Sequence, residues 1–120
     1  MRIQDDEVLR EISQILKAMG DPTRLRLLQE LLEGERRAGE LVEAVGTSQA
    51  NISKHLTRLR GAGLVDARRD GPHVVYRIAA PFVHEVCGIL CRGLEERLSG
   101  DGDLRRRLKK ILRTSEEVTP

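Results

Sequence analysis

The strongest constraint on this chain is a change of hydrophobic period near residue 60. Before it, apolar residues recur at helical spacing; after Gly61 and Gly63 they alternate, as in half-buried strands. The last helical stretch runs from about Gln49 to Arg60 and follows a Gly46-Thr47-Ser48 break. Ile52, Leu56 and Leu59 form its inner stripe, while Gln49, Ala50, Ser53, Lys54, Thr57 and Arg58 face outward. A stripe this narrow holds a helix on a core by one side and leaves the other side to solvent.

The elements around it follow from the same patterning. Val8, Ile12, Ile15, Leu16 and Met19 mark a helix over about 5–18, stopped by Gly20. Asp21-Pro22 restarts a helix, with Asp21 as cap and Pro22 where no N–H is needed. Leu25, Leu28, Leu31 and Leu32, widened by Leu27, are its expected apolar face as far as Gly34. Glu35–Gly46 opens with a polar stretch able to hold one strand, then turns helical with Leu41, Val42 and Val45 inward. Gly46 suits a left-handed helix end, and Thr47 or Ser48 the next cap. Val65 and Ala67, then Val74, Tyr76 and Ile78, alternate about an expected turn over Arg68–His73, with Asp70-Gly71 as its strongest signal. Pro81 opens a helix carrying Phe82, Val83, Val86, Ile89, Leu90, Leu94 and Leu98. After Ser99–Gly102 comes a short basic amphipathic helix, DLRRRLKKIL, and the tail TSEEVTP is expected to fray. The fold expected is mainly α with a small β-hairpin. Residues 1–98 are expected to form one domain and 99–120 a C-terminal basic helix and tail.

Composition narrows the function. One Tyr, one Phe and no Trp exclude base-stacking platforms and aromatic cages. No uncharged apolar run approaches the ~20 residues of a membrane helix. The acidic start MRIQDDEVLR is unlike an export signal, so the expected compartment is the cytoplasm with no membrane partner. Phosphate-loop, dinucleotide, nucleophile-elbow and zinc-protease signatures are missing, and His55, His73 and His84 lie in separate segments. No nucleophile and base assemble, so the expectation is not an enzyme. The net charge of +2 hides an uneven distribution. Residues 51–80 carry six Lys/Arg against two acids, whereas 21–50 carry four against six. A local basic surface attracts a phosphate backbone.

Two helices joined by Gly46-Thr47-Ser48 and followed by a basic hairpin form a winged helix-turn-helix pattern. Its second helix fits the major groove of duplex DNA. Gln49 and Asn51 can pair with adenine, Ser53 and Thr57 can bond base or phosphate, and Lys54 and Arg58 can neutralise phosphate or read guanine. The helix N-terminus near Ser48 and Gln49 is a phosphate site. Arg68, Arg69 and His73 on the hairpin are expected to touch backbone or minor groove. A winged module binding another protein without DNA is the competing class.

The runs DPTRLRLLQELLEGE and ELVEAVGTSQANISKHLTRLRGAGLVDARRDGPHVVYRI resemble the ArsR/SmtB family of winged-helix repressors. The resemblance implies a homodimer joined through the first and last domain helices and bound to double-stranded operator DNA. It places the operator-reading positions on Ser48, Gln49, Ala50, Ser53 and Lys54. Ala50 departs from the usual hydroxyl residue and offers a methyl to thymine. His55 also matches the motif, beside the inner stripe, where both packing and DNA contact are open to it.

Many members sense metal through thiolates before the recognition helix. Here that segment reads Glu35-Arg36-Arg37-Ala38-Gly39-Glu40, without cysteine, and the family's zinc spacing on the last helix is not reproduced. What remains is His84-x-x-Cys87-x-x-x-Cys91. Cys87 and Cys91 are one helical turn apart, about 6 Å along the axis, and two thiolates suit a soft ion. The inducer expected is arsenite or a thiophilic metal ion at Cys87 and Cys91, with His84 or a cysteine of a second subunit completing the shell. No obligatory cofactor is expected. Redox or reactive-sulfur sensing through the same pair requires helix distortion or a cross-subunit bond. Purely structural cysteines remain a further alternative, since buried cysteine packs as a small hydrophobe.

Overall fold

A computed structural model describes residues 1–118, with side-chain environments through Thr114. The order is α1 (Asp6–Met19), α2 (Pro22–Leu32), β1 (Arg36–Arg37), α3 (Ala38–Val45), α4 (Gln49–Gly61), β2 (Val65–Asp70), β3 (His73–Ile78), α5 (Phe82–Arg97) and α6 (Asp103–Val118). The chain forms two compact units that divide after Pro81. This groups α5 with α6, which pack on each other, rather than dividing at residue 98.

In the first unit, polar side chains set the helix starts. The Asp5 carboxylate accepts the Glu7 and Val8 N–H groups at 2.9 and 3.1 Å, and Asp21 accepts that of Arg24 at 3.0 Å. The core gathers Leu27, Leu28 and Leu31 of α2, Leu41 of α3, Ile52, Leu56 and Leu59 of α4, and Leu64 and Val65 at the start of β2. Here α2 departs from the expected face. Leu27 is fully buried, Leu25 is exposed and Leu32 half-buried. The inward side is 24/27/28/31, because Arg24 occupies it as a partly buried hydrogen-bond donor. Hydropathy alone places an arginine outside and so turns the expected face toward Leu25 and Leu32.

The sheet has order β1-β3-β2, antiparallel throughout. Asp70 pairs with His73, so the turn is only Gly71-Pro72, with Gly71 at φ 61°. The expected turn over Arg68–His73 is therefore too long; Arg68, Arg69, Asp70 and His73 lie in the strands. Val74 and Tyr76 line a 180 Å³ cavity with Ala38, Val42, Ile52 and Leu56, which turns that face of β3 toward α3 and α4. Val75, on the other face, is the most buried residue of the strand. Arg68 stands opposite Val75 and reaches Glu35, next to β1 on the far side of β3.

In the second unit, Val83 is buried but Ile89 and Leu90 are 60% and 58% exposed. On α1, Val8, Leu9, Ile12 and Leu16 are likewise exposed, Leu16 by 59%. On α6, Leu108 is buried. This helix continues through Val118, so Thr114–Val118 are helical rather than a loose tail. The fraying expected at Thr119 and Pro120 lies outside the described residues.

Candidate nucleic-acid interface

The candidate reading surface is built from the α3–α4 turn outward. Glu40 accepts the Arg37 N–H at 2.9 Å and starts α3; Gly46 ends it at φ 77°, its N–H donating to Val42 O at 3.0 Å. The left-handed conformation is one glycine adopts without penalty. Ser48 then caps α4, its Oγ accepting the Asn51 N–H at 3.1 Å. With Ile52, Leu56 and Leu59 buried, Gln49, Ala50, Ser53, Lys54, Thr57 and Arg58 are all exposed.

Not all of these side chains have free chemistry. Asn51 is half-buried and its Nδ2 donates to Thr47 Oγ1 at 3.2 Å, which stiffens the turn. The Thr57 hydroxyl donates to Ser53 O at 2.9 Å, so toward a ligand it offers an acceptor. The Ser48 oxygen is engaged by Asn51 but keeps its own proton to donate. Gln49, Ser53, Lys54 and Arg58 present their polar ends to solvent.

On the wing, Arg69 and His73 are exposed beside the Gly71-Pro72 turn. Arg68 forms a 2.7 Å ion pair with Glu35. That hydrogen bond, helped by the opposite charge, raises the guanidinium pKa above its ordinary value. Arg68 thus splints the sheet, and part of its charge is balanced. Arg77 pairs with Asp66 at 3.4 Å on the same hairpin.

One cluster goes beyond what the sequence pattern reveals. Arg24 donates through Nε to Ala18 O at 2.5 Å and through Nη2 to Lys17 O at 3.0 Å, satisfying carbonyls at the end of α1. Its Nη1 lies 3.1 Å from His55 Nδ1 on α4. The His55 side chain is only 14% exposed and lies 3.9 Å from Asp21 Oδ2. Of its two open roles, the structure gives His55 the packing one. With Arg24 donating, Nδ1 is the acceptor and the ring proton sits on Nε2. The Asp21 carboxyl is held below its usual pKa, chiefly by the Arg24 backbone N–H, with the Arg24 charge adding to it. Asp21, Arg24 and His55 therefore tie the end of α1 and the start of α2 to α4. The sequence signal for it is an arginine three residues after a capping aspartate, inside an apolar stripe.

Cys87 and Cys91 are both half-buried on α5. Among the described residues, no three His, Cys, Asp or Glu side chains gather as a metal-holding group. His84, Cys87 and Cys91 are accordingly not gathered as one such group in this structure. His84 stands two turns from Cys91, about 10 Å along the axis. It lines instead a 310 Å³ surface cavity with Glu85, Gly88, Ile89 and Arg92.

Residues 21–67 match the family model described as bacterial regulatory protein, arsR family. The chain is 40% identical over 98 residues to an uncharacterized HTH-type transcriptional regulator of Mycobacterium tuberculosis, covering 78% of this chain and 86% of that one. It belongs to the ArsR family. A probable mercury resistance operon repressor of Streptomyces lividans is 45% identical over 74 residues, 62% of this chain and 59% of the relative. The homodimeric winged helix-turn-helix DNA-binding domain from Mycobacterium bovis, solved by NMR, superposes with a TM-score of 0.69 at 28% identity. That match covers 85% of this chain and 100% of that domain. The matched run 21–67 holds the ArsR helix-turn-helix and the Asp21–Arg24–His55 cluster, and it ends inside β2. No helix among the described residues is long and apolar enough to cross a membrane.

Proposed function

We propose that this ArsR-family protein is a homodimeric repressor that grips operator DNA with two copies of α4 and the β2–β3 wing. Arsenite or a thiophilic metal ion, held by Cys87 and Cys91, releases it. The observation that carries the reading is the outward strip of α4. Gln49, Ser53, Lys54 and Arg58 stand free on a helix whose other side is fixed by Ile52, Leu56 and Leu59. The apolar rows of α1 and α5 left open in one chain supply material for a second copy, and the Mycobacterium bovis domain is homodimeric. Two reading helices then address half-sites about 34 Å apart. Asn51 is engaged with Thr47 of the turn and Thr57 with Ser53 of α4, whereas Arg69 and His73 are the wing groups free to meet phosphate.

For the inducer, the support is a pair of half-buried thiols at i, i+4 on α5 and the mercury resistance relative. Two thiolates per chain suit a soft ion, and further ligands come from outside that chain. Bound inducer opposes DNA by differential affinity, typically about 1–3 kcal/mol or 5–150-fold.

A gel-shift on the duplex upstream of its own gene tests this, with arsenite, cadmium, zinc and a persulfide donor in separate lanes. The native protein shifts the duplex, and arsenite or cadmium releases it. Cys87→Ser with Cys91→Ser binds but is not released. Release unchanged in that variant ends the thiol reading. Release by the persulfide donor alone moves it to reactive-sulfur sensing. Lys54→Glu with Arg58→Glu abolishes the shift, and an undiminished shift removes α4 from the interface.

A further inference from the structure

Helix α6 lies beyond the segment matched to the family model and carries a charge pattern that the proposed α4 interface does not use. Leu104, Leu108, Ile111 and Leu112 occupy one side of it. Arg106, Lys109, Lys110 and Arg113 occupy the opposite side at i, i+3, i+4 and i+7, which is a single stripe about 10 Å long. All four are exposed. Their basic neighbours are engaged locally: Arg107 pairs with Asp103 at 2.9 Å and Arg105 donates to Gly100 O at 2.9 Å. Arg106 bonds Asp101 O and lies 4.0 Å from Asp103. Among the side chains described, which end at Thr114, Lys109, Lys110 and Arg113 form no ion pair; the acids Glu116 and Glu117 follow in the next turn of the sequence.

We infer that this stripe is a second, sequence-independent contact with the phosphates of duplex DNA. The inference rests on the proposed DNA binding by α4. Four like charges on one helix face repel one another, and the complementary surface is a dense polyanion. An anionic membrane would also attract them. A helix lying on a bilayer, however, buries its whole apolar side in the lipid, and here Leu108 at the centre of that side is only 6% exposed, which leaves Leu104 and Ile111, 48% and 58% exposed, to either side of it. The cations point the other way, as phosphate contact requires. Their effect is general attraction rather than base choice.

The test uses the full-length chain and two duplexes of equal length, the upstream sequence and a scrambled version, titrated with salt. The variant is Arg106→Ala, Lys109→Ala, Lys110→Ala and Arg113→Ala, in which alanine preserves helix propensity. Lys109→Gln, Lys110→Gln and Arg113→Gln spare the Arg106 hydrogen bond and guard against unfolding. Both variants are expected to weaken binding by the same factor on the two duplexes, about tenfold or more for the fourfold variant. The plot of log affinity against log salt should become shallower by about 0.9 for each phosphate no longer neutralised. Unchanged slopes, with the native protein still binding its upstream duplex, overturn this proposal and leave the α4 reading standing. Failure of the native protein to bind either duplex overturns both. Unchanged slopes together with native-only flotation on phosphatidylglycerol vesicles assign the stripe to a membrane.

Discussion

Replacing Arg24 by methionine isolates the junction of α1, α2 and α4, because it keeps the stem and removes the guanidinium. Three interactions disappear: Nε to Ala18 O, Nη2 to Lys17 O and Nη1 to His55 Nδ1. The bond to Lys17 is exposed, so water replaces most of it. The other two are partly buried and charge-assisted, each worth roughly 1.5–3 kcal/mol before solvent takes its share. A loss of about 2–4 kcal/mol follows. Urea unfolding at one fixed protein concentration measures it, since a dimer's stability depends on concentration. A double-mutant cycle with His55→Ala assigns the share carried across to α4, expected to be about 1 kcal/mol. A loss for Arg24→Met below about 0.5 kcal/mol, within the range of an ordinary surface change, would refute the view that this arginine holds the three helices together.

Two further outcomes concern the same region and the turn. Asp21 has a lowered carboxyl pKa in the folded state, so its contribution is present above the ordinary aspartate pKa of about 3.9 and is lost as pH falls through the folded value. Asp21→Asn should flatten that part of the stability-versus-pH curve while leaving a cap in place, and identical acid limbs in denaturant titrations would contradict the assignment. Gly46 sits at φ 77° with open space where a side-chain methyl would stand, so backbone conformation alone decides its substitution. Gly46→Ala should cost about 1 kcal/mol and Gly46→Asn less; equal thermal midpoints for the two would point to another cause.

Much of this protein can be read directly. The stripe Ile52/Leu56/Leu59 decides which side of α4 is buried, because three large apolar residues on one side of a polar helix leave one favourable rotation. Gly46 and Ser48 mark the turn by conformational demands that few other residues meet. The winged helix-turn-helix and the family follow from these local signals. Wherever a polar residue works inside, pattern gives the wrong direction. Hydropathy places Arg24 outside, but the free carbonyls of α1 and the ring of His55 give it partners, so α2 turns to bury Leu27 in place of Leu25. Likewise Arg68 reads as a free basic wing residue, yet Glu35, far away in sequence, ties it across Val75. Asn51 reads as a base reader, and its reach to Thr47 emerges only once the turn is folded. The sequence determined each helix and strand and, apart from α2, its apolar face, because those depend on neighbours one turn away. The tertiary structure decided which polar groups remain available, because a hydrogen bond or ion pair needs a partner whose position depends on the path of the whole chain.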